Sequence, residues 1–192
     1  GLLCLQNGGP AAIEKAIVPL IDIAKRDAQP WIRRNAVGML GRGQAPGTMP
    51  VKALTEALKD PDDGVRQAAA LSLGNMGWAA GQTVANLENQ LSDEEPMARL
   101  AAAEALKKIG STKAHEALRK VGPAPVHSAV QELIKELGSE EAATNSNAAK
   151  ALGSIGAPAA SALARAVNSD NLRIAQSAIS ILQYMPMLPE EV

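Results

Sequence analysis

The chain has 192 residues, enough to bury a sizeable core, but it has no phenylalanine, two tryptophans and one tyrosine. Its apolar content comes mainly from Ala, Leu, Ile, Val and Met, which suits closely packed helices better than a sheet. The net charge of −1 gives no overall pull toward nucleic acid or anionic lipid, no apolar run reaches the roughly 18 to 20 residues of a bilayer span, and the single Cys4 excludes an internal disulfide and a multi-cysteine zinc site.

Residues Leu3 to Pro10 read as the exit of a helix, like Leu152 to Pro158 further on, so the chain is expected to begin inside a longer array. Ile13, Ala16, Ile17, Leu20, Ile21 and Ala24 then recur at spacings of three and four, the apolar stripe of a helix. A second helix follows at 32–41, where Arg33, Ala36, Leu40 and Gly41 introduce a pattern that returns 33 residues later as Arg66, Ala69, Leu73 and Gly74, with Gly77 closing the segment. Between them Val51, Leu54, Ala57 and Leu58 mark another first helix, and the acidic segment 59–64 marks the turn. A third copy repeats the register: Val84, Leu87 and Leu91, a turn at 92–96, then Arg99, Ala102, Leu106 and Gly110. The fourth copy, with Ala148, Leu152, Gly153, Ile155 and Gly156, comes 46 residues after the third. The 13 residues beyond the 33-residue step predict an inserted helix near 123–138. A weaker fifth copy has Ala160, Leu163 and Val167, a turn at 168–171, and Ala175, Ala178, Leu182 and Met185.

A period of this length with two amphipathic segments per copy is the mark of stacked helical hairpins. The predicted repeats are 11–44, 48–77, 79–110, 111–156 with the inserted helix, and 157–186, within one domain spanning 1–192. Ser and Asp in the turns are expected to cap the helices that follow, Ser92 and Glu95 having capping-box spacing. Gly41, Gly77, Gly110 and Gly156 are expected to stop helices in a left-handed conformation. Arg66 and Arg99 are expected to bond turn carboxylates such as Asp62, Asp63 or Glu95, a structural role.

The segment Asp60-Pro-Asp-Asp-Gly-Val-Arg-Gln-Ala-Ala-Ala-Leu-Ser-Leu-Gly-Asn-Met-Gly77 resembles the HEAT-like repeat of phycobilisome lyases. The resemblance implies an all-α fold, an α-α superhelix (solenoid) of about five hairpins with the second helices on the concave side. It also supplies the enzymatic alternative, a bilin lyase-like or metal-dependent activity. HEAT-like deoxyhypusine hydroxylases bind iron through several His-Glu pairs, but this chain has only His115-Glu116, since His127 is followed by Ser128. No Ser/His/Asp arrangement, cysteine cluster or glycine-rich phosphate loop stands out, so no catalytic residue, metal or cofactor is expected.

The expected function is therefore a non-enzymatic scaffold for another protein, soluble and with a cytoplasmic setting favoured. Its contact surface is placed on the stripe of the second helices opposite the core positions: Arg34, Val37 and Gly41, then Gln67, Ala70 and Gly74, then Leu100, Ala103 and Lys107, then Ser146, Ala149 and Gly153, with Trp31 and Trp78 as anchors. Two basic clusters, Lys25, Arg26, Arg33, Arg34 and Arg42, then Lys107, Lys108, Lys113, Arg119 and Lys120, favour an acidic protein surface over a phosphate backbone, because acidic residues intervene and aromatic partners are scarce. The sequence leaves the oligomeric state open.

Overall fold

The computed structural model describes residues 16–42, 48–155 and 157–185, which form eleven α-helices, one 3-10 helix and no strand. They fall into two compact units, divided between Pro125 and Val126. That division lies where the 33-residue register is interrupted.

The first unit holds α1 (Ile17–Arg26), α2 (Pro30–Arg42), α3 (Thr48–Ala57) and α4 (Asp63–Met76). A 3-10 helix (Gly77–Thr83) runs into α5 (Val84–Gln90), followed by α6 (Pro96–Ile109) and α7 (Thr112–Val121). The repeating apolar positions make one continuous core. Leu40, Leu73 and Leu106 from the second helices are at most 1% exposed, and Leu20, Leu54 and Leu87 from the first helices meet them fully buried. Each such leucine contributes about 1.5 to 3 kcal/mol on burial. Ala36, Ala69 and Ala102 are likewise fully buried, and such small side chains let helices approach closely.

The second helices α2, α4 and α6 pack on one another far more extensively than the first helices do. The sequence provides for this at two equivalent points. The Cα of Gly41 faces Ser72, and that of Gly74 faces Ala105, so closely that a Cβ on either glycine would overlap the neighbouring residue. Ser72 donates its hydroxyl to the Val37 carbonyl at 3.2 Å, one repeat back. The second-helix side is the more closely packed side of this unit.

Gly41 was expected to stop its helix, but it lies inside α2, where close packing is what requires it. Gly77 (φ 57°) and Gly110 (φ 61°) do sit at helix ends with positive φ. Gly156 lies outside the described residues, as do Cys4 and the segment Leu3 to Pro10.

One device repeats at the start of every second helix. A side-chain oxygen accepts the amide two residues on: Asp27 from Gln29, Asp60 from Asp62, Asp93 from Glu95, Ser139 from Glu141 and Ser169 from Asn171, at 2.9 to 3.2 Å. These tight turns aim the chain into the next helix. Asp62 then caps α4 through the Val65 amide. The Ser92–Glu95 capping box does not form: Glu95 is the N-cap residue of α6, without a side-chain cap bond, and Pro96 opens the helix.

The second unit comprises most of α8 (Ala124–Glu136), then α9 (Ala142–Ile155), α10 (Ala157–Ala166) and α11 (Leu172–Tyr184). The inserted helix expected near 123–138 is α8. Leu133, Leu137, Leu152, Leu163 and Ala178 form the core. The turn after α8 packs on the start of α11, where a Cβ on Gly138 would lie 3.2 Å from Ile174, and Arg173 donates to the Ser139 carbonyl at 3.3 Å.

Candidate functional site

The most conspicuous repeated residues, the arginines, serve the stack. Arg33 donates from Nε and Nη2 to the two carboxylate oxygens of Asp60, at 2.8 and 2.6 Å, while its Nη1 donates to the carbonyls of Asp27 and Ala28. Arg66 repeats the arrangement with Asp93 and the carbonyls of Asp60 and Pro61. Arg99 holds the carbonyls of Asp93 and Glu94 at 2.7 and 2.8 Å. The structural role is as expected, but the partners differ. For Arg33 and Arg66 the carboxylate comes from the following repeat, 27 residues ahead, while carbonyls of their own turns accept from Nη1. Asp62 is occupied in capping α4, and Asp63 is exposed.

These bonds set the charge states. Burial pushes the Asp60 carboxyl up, but hydrogen bonds from Arg33 and the Asp62 amide, with the charges of Arg33 and Arg66, bring it below its ordinary value. Asp93 is lowered in the same way by Arg66, the Glu95 amide and Arg99, against its own burial. Glu95 moves the other way, raised by burial and then by the charge of Asp63.

First helices of successive repeats are also joined by ion pairs. Lys25 meets Glu56 at 2.7 Å, and Glu88 meets Lys120 at 2.9 Å. Arg26 pairs with Asp22 within α1. A depression of about 520 Å³ also lies on this side, lined by residues of α3, the 3-10 helix and α5 that include Met49, Lys52, Gln82 and Asn86.

The second-helix face is organised differently. Its accessible positions follow one stripe per helix: Trp31, Arg34, Asn35, Gly38 and Arg42 on α2, then Gly64, Gln67, Ala68, Leu71 and Asn75 on α4, then Met97, Leu100, Glu104, Lys107 and Lys108 on α6. Lys108 bonds Glu104 at 2.7 Å and Asn75 at 3.2 Å. A groove of about 210 Å³ runs between α2 and α4, with Arg34, Asn35, Gly38 and Arg42 on one side and Ala68 on the other. In the second unit a groove of about 250 Å³ lies between α9 and α11, beside Gly153, Ile181 and Tyr184.

Residues 17–81 match the family model described as HEAT repeats, and residues 98–121 match the PBS lyase HEAT-like repeat. The chain carries HEAT repeats. No curated protein sequence matches it. Similar solved structures include the designed armadillo repeat protein YIII(Dq)4CqI, at 20% identity, covering 96% of this chain and 90% of that one, with a TM-score of 0.44. A second designed armadillo repeat protein, YIII(Dq.V1)4CPAF in complex with the peptide (KR)4, is 18% identical, with 94% and 90% covered and a TM-score of 0.46. The complex of CpcE and CpcF of phycocyanin lyase from Nostoc sp. PCC7120 is 20% identical, with 92% and 83% covered and a TM-score of 0.41. The fold is an all-α repeat fold of the HEAT type.

Within these HEAT repeats the expected contact residues separate into two groups. Arg34, Lys107, Ser146 and Trp31 are exposed, Trp31 by 62%, and Gln67 and Leu100 are partly so. Gly41 and Gly74 are buried between second helices and are corrected: they are packing positions that a partner cannot reach. The expectation for the Trp78 side chain lies outside the described part of the structure. His115, Glu116 and His127 are exposed, and His115 Nδ1 lies 3.1 Å from the Ser111 carbonyl. Among the described residues no group of three or more His, Cys, Asp or Glu is placed to hold a metal ion, and no helix is long and apolar enough to cross a membrane.

Sequence reasoning missed Asn35, Gly38 and Tyr184. The single tyrosine, 86% exposed on the second-helix face of the last repeat, could have been singled out by its rarity alone.

Proposed function

We propose that this HEAT-repeat chain is a non-enzymatic scaffold that holds a partner protein on the second-helix face. The observation that carries the reading is a contrast within the first unit. Two ion pairs between repeats join its first-helix side, and buried Arg–Asp pairs lock its turns. Its second-helix side leaves Arg34 and Arg42 without an ion pair among the described residues, beside a groove and the exposed Trp31. Surface arginine and tryptophan are the side chains most often found at the energetic centres of protein interfaces. The two grooves described beside second helices, about 210 Å³ in the first unit and about 250 Å³ in the second, are smaller than the roughly 300 to 1,000 Å³ of small-molecule pockets, which supports a surface contact there.

The test is site-specific photo-crosslinking. A photoreactive residue at position 67 or 100 probes the second-helix face, and one at position 52 or 85 probes the opposite side. Protein adducts formed from 67 and 100 and absent from 52 and 85 are expected. Adducts confined to 52 and 85, or none from any position, overturn the reading.

A further inference from the structure

We infer that the groove between α2 and α4 is a subsite for an extended acidic peptide, with Arg34 and Arg42 each taking a carboxylate and Gly38 leaving room for the peptide backbone between them. This rests on the second-helix reading above and gives that surface a partner chemistry.

Three cations of the first basic cluster are already engaged: Lys25 by Glu56, Arg26 by Asp22 and Arg33 by Asp60. Arg34 and Arg42 form no ion pair among the described residues, and both line the same groove. Asp62, beside Arg34 across Gly64, is committed to capping α4. The two arginines present planar forks suited to bidentate bonds with carboxylates.

Gly38 adds an independent observation. Glycine inside a helix weakens it relative to alanine, so its presence there calls for a reason. At Gly41 and Gly74 the reason is a neighbouring helix, whereas a Cβ on Gly38 would meet nothing within 4 Å. It would project into the groove. The contact a side chain at 38 would obstruct is one with something outside the chain.

The dimensions select an extended segment. Arg34 and Arg42 are separated by about 12 Å along the α2 axis, at 1.5 Å per residue. In an extended peptide, residues i and i+4 face the same side about 13 Å apart. Asn35 lies between the arginines on this wall, with an amide that both donates and accepts, as a peptide backbone requires. A nucleic-acid backbone fits less well. At positions equivalent to Arg34 and Arg42, α4 has Gln67 and Asn75, and α6 has Leu100 and Lys108, the last paired with Glu104 at 2.7 Å, so a phosphate track finds no unbroken row of cations.

The probe is a fluorescein-labelled peptide, Ser-Thr-Glu-Thr-Val-Thr-Glu-Thr-Ser, titrated with the whole chain and followed by anisotropy. Saturable binding that weakens with added NaCl is expected, with loss when both Glu are replaced by Gln or Lys. Arg34→Ala with Arg42→Ala should weaken it by about tenfold or more, as should Gly38→Leu, while Arg26→Ala leaves it unchanged. The arginine changes only remove atoms and a Cβ at 38 meets nothing within 4 Å, and circular dichroism checks that each variant is folded. No binding, equal binding of the Lys peptide, full binding by Gly38→Leu, or tighter binding of a labelled nine-nucleotide oligothymidylate overturns the proposal. If the peptide fails while crosslinks still form from positions 67 and 100, the subsite falls and the scaffold reading stands; if both fail, both fall.

Discussion

Arg66 holds two turns at once: Nε and Nη2 donate to the Asp93 carboxylate at 2.8 and 2.9 Å, and Nη1 donates to the carbonyls of Asp60 and Pro61 at 3.1 Å. The two side chains are only 11% and 5% exposed, so removing either leaves its partner charge largely desolvated. Arg66→Ala and Asp93→Ala are each expected to cost about 3 kcal/mol. Replacing both by alanine should cost less than the sum of the single changes, because no charge is stranded. Urea denaturation of the four proteins in the cycle measures the coupling, and additive losses would contradict a pairwise bond.

The same bonds fix the acid limb of stability. The folded-state values of Asp60 and Asp93 lie below the unfolded aspartate value of about 3.9, so the unfolded chain takes up protons first as pH falls. Their contribution is fully present above the unfolded value and is lost from there down through the lowered folded values. Glu95 has the opposite sign. Its raised folded value means the folded chain protonates first, so this residue opposes folding at neutral pH and the opposition fades as pH drops through that value. Denaturation midpoints measured from pH 7 to 2 should therefore fall mainly below about pH 4. Asp60→Asn with Asp93→Asn should flatten that fall, and Glu95→Gln should raise stability most at neutral pH.

Glycines of the same second helix should respond to alanine in opposite directions. Gly41→Ala drives a methyl into Ser72, and Gly74→Ala places one 2.7 Å from the Ala105 Cα, so each is expected to destabilise by about 1 to 3 kcal/mol. Gly38→Ala meets open space and should stabilise by about 0.5 to 1 kcal/mol. Urea midpoints of the three variants test the contrast, and a loss at Gly38 would show a packing demand there.

The fold was legible because Leu40, Leu73 and Leu106 keep one spacing, and a residue buried in every copy leaves the same mark each time. The surface was less legible. The expected contact stripe was placed opposite a single core stripe, which suits a helix packed on one side. A second helix in a stack has its own first helix and two neighbouring second helices around it. Val37, Ala70 and Ala103, on the expected stripe, are therefore 0%, 1% and 6% exposed, and the open positions shift to Asn35, Gly38, Leu71 and Asn75. The Arg–Asp pairing was hidden for a similar reason. Arg66 lies close in sequence to Asp62 and Asp63, while its partner Asp93 comes near only when the next repeat stacks.

The two units should also differ in how tightly their turns are held. In the first, the Asp60 carboxylate that anchors the Asp62 amide is itself fixed by Arg33, and Arg66 grips the adjoining carbonyls. In the second, Ser139 and Ser169 stand in place of the aspartates, and Asn145 stands at the position of the arginine, donating its amide to the Leu137 carbonyl. A hydroxyl holding one amide lacks the charge-assisted bonds that resist opening. Hydrogen exchange by mass spectrometry should show the amides of Asp62 and Glu95 protected longer than those of Glu141 and Asn171. Asp60→Ser should bring the Asp62 amide toward the faster pair while leaving Glu141 unchanged. Equal protection in all four turns of the unsubstituted chain would show that helix stacking alone, without the arginine clamps, sets the local opening free energy.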